Sequence, residues 1–196
     1  MENILNTIFS QFDDDSVKKI AKQTNASPAQ AKSALASAIP ILMSAMAKNS
    51  SSREGATALE KAVEKDHDGS ILNDLGSFLS NPALANGAGI LKHVLGNKQK
   101  NVKTYISKDS GLSGDSAGKI LEIAAPIVMG YLGKKKSTGE VSNVSSLLNM
   151  FLKTEKKQNV KSQGVISQLL DSNNDGSVVD DIAKIGMSFL GRIRRK

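Results

Sequence analysis

Apolar positions along this chain recur at the spacing of one helix face, and no segment holds the period-2 alternation of a strand. Ile4, Leu5, Ile8, Phe9 and Phe12 fall on one side of a helix over residues 3–12. Val17, Ile20 and Ala21 predict a second short helix, broken at Asn25-Ala26. Ser27-Pro28-Ala29-Gln30 is a full start signal, with Ser as cap, Pro at the first helical position and Gln closing a capping box. The helix it opens has no charged residue from Ala34 to Ala47, and a helix apolar on every side is a buried one. Pro40 lies inside it, removes one backbone hydrogen bond and predicts a kink near Ala36.

Helical spacing continues downstream. Ser51-Ser52-Arg53-Glu54 predicts a further capping box, opening a helix with Ala56, Leu59, Ala62 and Val63 inward. Ser70 is expected to cap a helix carrying Ile71, Leu72, Leu75, Phe78 and Leu79, stopped by Asn81-Pro82. A short helix over residues 87–96 ends at Gly96, and one over residues 99–109 uses Val102, Tyr105 and Ile106 and closes at Gly111. Ser113 starts the second long apolar helix, which contains Pro126 and ends in Lys134-Lys135-Lys136, where the helix dipole favours cations. Val144, Leu147, Leu148 and Phe151 predict a helix over residues 142–152. Residues 153–163 are polar and basic and read as a linker. Ser177 is expected to cap a last helix with Ile182, Ile185, Met187, Phe189 and Leu190, before a basic tail over residues 192–196.

Two internal repeats organise these elements. Asp66-His67-Asp68-Gly69-Ser70-Ile71-Leu72-Asn73-Asp74-Leu75 returns as Asn173-Asn174-Asp175-Gly176-Ser177-Val178-Val179-Asp180-Asp181-Ile182. Shifting the chain by 86 residues also lays the two Pro-containing helices on each other without a gap. Ile20 then meets Ile106, Ser27 meets Ser113, Leu35 meets Leu121, Pro40 meets Pro126, Met43 meets Met129 and Lys48 meets Lys134. The expected fold is therefore all-α: one multihelical domain over residues 1–196 with an internal duplication. Its halves span about 14–80 and 100–191, around two central, buried, Pro-kinked helices.

The combination of Asp66–Leu75, Gly89-Ile90-Leu91-Lys92-His93-Val94-Leu95-Gly96 and Ala124-Ala125-Pro126-Ile127-Val128-Met129-Gly130 resembles the YidB-like family of bacterial proteins, domain of unknown function 937. The resemblance covers most of residues 16–190. It implies a multihelical bacterial protein with central buried helices, and it implies no activity. The second copy of the motif has Asn174 where the first has His67, so that His is not required of both copies.

Composition narrows the chemistry. Cys is absent, which removes disulfides, thiolate nucleophiles and Cys-based zinc or iron–sulfur sites. Aromatics are 4% with no Trp, so Leu, Ile, Val, Ala and Met must build the core. The N-terminus lacks the basic and apolar regions of a secretory signal, and no apolar run reaches the roughly 20 residues of a membrane span. A cytoplasmic location is the expectation. The formal charge of +7 points to acidic partners without choosing among them.

In and just before the repeated stretch, the carboxylates Asp66, Asp68, Asp74, Asp171, Asp175 and Asp181 and the amide of Asn173 are candidate calcium ligands. Glu64-x-Asp66-x-Asp68-Gly69 and Asp171-x-Asn173-x-Asp175-Gly176 match the opening of an EF-hand loop, including Gly at its sixth position. The twelfth position, which should be a bidentate acid, is Leu75 or Ile182. The competing and preferred reading is a tight turn feeding a helix, with Asx bonding, Gly at positive φ and acids facing the helix dipole. His93 sits among Leu91, Val94 and Leu95 and reads as a hydrogen-bonded core or boundary residue before a ligand or base. No zinc-hydrolase pairing of His and no phosphate loop occurs. In the Lys98–Lys108, Lys134–Lys136, Lys153–Lys161 and Arg192–Lys196 clusters the one aromatic is Tyr105, read as an inward position of its helix, so no aromatics are interleaved as stacking platforms for bases. The function expected is a non-catalytic module that binds another macromolecule, a protein before a nucleic acid. A calcium-binding module and a non-specific nucleic-acid-associated protein are the alternatives, and no cofactor is expected apart from that calcium.

Overall fold

The computed structural model describes residues 4–171. Every regular element among them is helical: α1 (Ile4–Phe9), α2 (Asp14–Gln23), α3 (Pro28–Asn49), α4 (Arg53–Asp66), α5 (Leu75–Phe78), α6 (Gly87–Leu95), α7 (Gln99–Ser110), α8 (Gly114–Ser137), α9 (Val144–Gln158) and α10 (Val160–Asp171). Short 3-10 turns lie at Ser70–Leu72, Pro82–Ala85 and Gly96–Lys98. The last helix, the basic tail and the second Asp-Gly-Ser stretch lie outside the described residues.

The two Pro helices, α3 and α8, pack along each other at the centre. From Ile41 to Ala47 and from Ile123 to Gly133 every residue is buried. The charge-free sequence explains this, because neither stretch holds a side chain that needs water. Burial is not uniform along α3: Lys32 and Ala36 are exposed, and Ser33, Ser37 and Pro40 are half-buried. On α8, Lys119 and Glu122 likewise reach the surface. Each Pro helix thus keeps one wet edge before its proline and is enclosed beyond it. Both helices run unbroken through their proline.

The two Pro helices begin alike. Ser27 caps α3 by accepting from Gln30 N, and Ser113 caps α8 by accepting from Ser116 N. The predicted box at Ser27 is complete, since Gln30 Oε1 accepts from Ser27 N at 3.0 Å. Before each cap the chain leaves a helix through a left-handed residue, Asn25 at φ 50° and Gly111 at φ 71°. The buried hydroxyls of Thr24 and Ser110 bond back to the carbonyls of Ile20 and Ile106 at 2.8 and 2.6 Å. Gln30 Nε2 also donates to the Gly111 carbonyl at 2.9 Å, joining the start of α3 to the turn before α8.

Several expectations need correction. The first helix stops at Phe9, although Phe12 still packs on the core. The cap of α4 is Ser52, which accepts from Gly55 N at 3.1 Å, while Ser51 donates to the Lys48 carbonyl; there is no box with Glu54. Residues 153–163 are not a linker: α9 runs to Gln158 and α10 begins at Val160. Glu155 and Gln163 are buried there because the stripe Val144, Leu148, Phe151 continues, four residues on, to Glu155.

Candidate functional site

The first Asp-Gly-Ser stretch is a clasp on α8. α4 ends at Asp66, and Gly69 at φ 99° turns the chain. Asp68 Oδ1 accepts from Ser70 N at 2.9 Å, an Asx turn. Ser70 therefore does not cap a helix. The expected single helix is split into the 3-10 turn Ser70–Leu72 and α5, and α5 is capped by Asp74, which accepts from Ser77 N at 2.9 Å. Glycines let the clasp close. A Cβ at Gly133 would overlap the His67 carbonyl oxygen, one at Gly130 would overlap the Ile71 Cγ2 methyl, and Gly69 sits over the backbone of Lys134. The amide of Ser70 holds the Asp68 carboxyl below the usual carboxylate range. Burial holds the half-buried His67 imidazole below its ordinary value, against the opposing pull of Asp66 and Asp68.

Of the candidate calcium ligands, Asp68 and Asp74 are thus bonded to backbone amides. Asp66 is exposed at the end of α4, and Glu64, two residues earlier in the same helix, pairs with Lys136 at 2.7 Å. Asp171 is exposed at the end of α10 and pairs with Lys48. Asn173, Asp175 and Asp181 lie outside the described residues. Among the described residues, no three His, Asp or Glu side chains gather as a metal site requires. Leu75, at the twelfth loop position, is buried. His93 is exposed on α6, not a boundary residue, and the Asn49 amide bonds its backbone carbonyl.

Part of the basic sequence is spent inside the fold. Lys136 pairs with Glu60 and Glu64 of α4, which raises its pKa, and Glu60 Oε2 also accepts from Val144 N at the start of α9. Lys135 pairs with Glu140 and lies over the Tyr131 ring at 5.8 Å. Lys98 donates to the Leu170 carbonyl, and its burial lowers its pKa.

Three features were not foreseen. Glu155 is 3% exposed, and Asn159 Nδ2 donates to it at 2.9 Å. It lies between a cavity of about 470 Å³, lined by Ile4, Tyr131, Met150 and Phe151 among others, and one of about 220 Å³ beside Pro40 and Tyr105. Its signal was its place on the α9 stripe, hidden by the basic residues around it. Burial, with Asp109 nearby, pushes Tyr105 up to about 12. Next, Gly87 presses on the Glu122 carbonyl, the group to which Pro126 has no N–H to give. That contact closes one wall of a cleft of about 350 Å³ between the 82–88 segment and the wet edge of α8. Finally, Leu84 is 83% exposed on the Pro82–Ala85 turn, whose Pro82 and Ala83 line this cleft. The Asn81-Pro82 stop was legible, and the outward direction of Leu84 was not.

No helix among the described residues is long and apolar enough to cross a membrane. A family model described as a bacterial protein of unknown function, DUF937, matches residues 6–135, and this span includes α2 to α7, the clasp, and α8 as far as Lys135. No curated protein and no solved structure matches the chain.

Proposed function

Because the chain belongs to this DUF937 family of bacterial proteins, whose description names no activity, we propose a reading from its own surface. The protein is a non-catalytic, cytoplasmic helical module that binds another protein. The observation that carries this is Leu84, 83% exposed on a Pro-Ala-Leu-Ala turn beside a cleft. A large apolar side chain held outward on a short, proline-started turn is placed to enter a partner, and burying it there would contribute about 1.5–3 kcal/mol. The polar groups support the same reading. Asp68, Asp74, Glu60 and Glu64 hold the backbone or lysines of this chain, which leaves them poorly placed for general acid–base work or for calcium. The matched units around α3 and α8 read as a duplicated helix pair in one domain, the frame that holds the turn.

The test is affinity capture from a bacterial lysate with the wild-type chain and Leu84→Ser, each with and without nuclease. The expected result is a protein retained by wild type through nuclease treatment and lost with Leu84→Ser. Capture that depends on nucleic acid and ignores Leu84 would replace this reading with the basic-surface one, in which binding is non-specific and falls with salt.

A further inference from the structure

The cavity of about 470 Å³ has walls from α1, α8 and α9. On α9, Leu147, Phe151 and Glu155 follow one another at four-residue spacing, so the stripe that packs inward ends in a carboxylate. α1 contributes Ile4, and α8 contributes Tyr131 with Lys135 one turn on. Met150 also lines the cavity and is 47% exposed. The geometry points to this cavity as a binding site for a small organic cation, a protonated amine carried on an apolar or aromatic body, with Glu155 as its counter-charge.

Glu155 carries the argument. It is 3% exposed, and it lines both the larger cavity and the smaller one beside Pro40. A carboxylate taken out of water is costly unless an opposite charge meets it. Here the carboxylate accepts from the neutral side-chain amide of Asn159 at 2.9 Å, and Asn159 lines the smaller cavity, not the larger. Among the described residues no lysine or arginine pairs with Glu155. An ammonium entering the larger cavity would supply that charge through a charge-assisted hydrogen bond.

The cations in the wall do not favour an anion instead. Lys135 pairs with Glu140, which lines the same cavity, and lies over the Tyr131 ring. Lys157 is exposed, with its charge in water. Glu155 is thus the group that decides which charge the cavity accepts. The volume falls within the roughly 300–1,000 Å³ of small-molecule sites, which pair mostly apolar walls with a few fixed polar groups. Ile4, Leu147, Met150 and Phe151 supply such walls for the body of the ligand. The cavity shares no lining residue with the cleft beside Leu84, so the two surfaces can be tested separately.

The full chain is titrated at neutral pH with phenethylamine, phenethyl alcohol and hydrocinnamate, and backbone amide shifts are followed by NMR. The three probes carry a cationic, a neutral and an anionic head on one aromatic body. The amine should give saturable shifts at Tyr131 and along Leu147–Glu155. It should bind at least about tenfold tighter than the alcohol or the acid, the effect of one hydrogen bond to a charged group. Glu155→Gln keeps the size of the side chain and an acceptor for Asn159, and it should remove that preference. Leu84→Ser should leave it unchanged. If Glu155→Gln fails to fold, the wild-type series decides alone. Equal binding of the three probes, a preference for the acid, no saturable shift with the amine, or unaltered amine affinity in folded Glu155→Gln would each overturn the inference.

Discussion

Gly133 and Gly164 are both helical glycines, and opposite effects are expected on changing them to Ala. At Gly133 the new methyl meets the His67 carbonyl, a backbone atom that cannot step aside without moving the clasp. Gly133→Ala should destabilise by about 1–3 kcal/mol, the usual range for overpacking. Gly164 faces open space within α10, so Gly164→Ala should stabilise by about 0.5–1 kcal/mol through helix propensity alone. Urea midpoints of the two variants check both signs. His67 gives a pH signature. Its imidazole is held below its ordinary value by burial, so the unfolded chain takes up the proton first as pH falls. This contribution to stability is whole above the unfolded value near 6.5 and is lost as pH drops through the depressed folded value. His67→Asn, the residue found at position 174, should flatten the urea-midpoint profile between pH 7.5 and 5; an unchanged slope would show that another group carries it. Much of this scale was legible in the sequence: the Ser27 box, the turn at Gly69 and the role of Asp68 follow from local side-chain chemistry. The glycines Gly130 and Gly133 were not, because their roles depend on the Ile71 methyl and the His67 carbonyl, about sixty residues earlier in the chain.

At the scale of elements, the burial of the two Pro helices was readable because it follows from one property, the lack of any charge over a long stretch. The split of the expected 70–79 helix was not readable. Asp74 can serve as an acid in a first turn or as the cap of a new helix, and the packing of Leu75 and Leu79 into the core selects the second. The helical course of residues 153–163 was hidden in the same way. Lysines dominated the composition there, while Phe151, Glu155 and Gln163 faced inward. How α4, α8 and α9 are tied together could not be read at all, since Glu60 reaches both Lys136 and the Val144 amide across 76 and 84 residues. This tie can be taken apart in two steps. Glu60→Gln keeps an acceptor for the Val144 amide and weakens only a partly exposed ion pair, at a cost of about 0–1 kcal/mol. Glu60→Ala also leaves that amide without its acceptor and should cost about 1–3 kcal/mol. Chemical denaturation resolves the two, and equal costs would show that the ion pair alone matters.

The described residues are organised by two helices, each enclosed beyond its proline, and by the turn that clasps α8. Such a frame places the repeated acids in service of the fold. Asp68 faces a backbone amide, Glu64 faces a lysine, and the twelfth loop position holds a buried leucine where a calcium loop needs an acid. The same frame leaves Leu84 exposed, where the proposed partner would bury it. The clasp is the central claim, and thermal unfolding of the wild type and Asp68→Ala, in chelator and in millimolar calcium, tests it most directly. Loss of the Asx turn should cost about 0.5–2 kcal/mol, by analogy with a lost helix cap, and each kcal/mol lowers the melting temperature by roughly 2–4 °C in a chain of this length. The account predicts that Asp68→Ala melts lower by the same amount in both solutions, with the wild type unmoved by calcium. A bound ion would instead stabilise the native state in proportion to its occupancy. A calcium-dependent rise in the wild type that Asp68→Ala abolishes would contradict the account and make the turn a metal site.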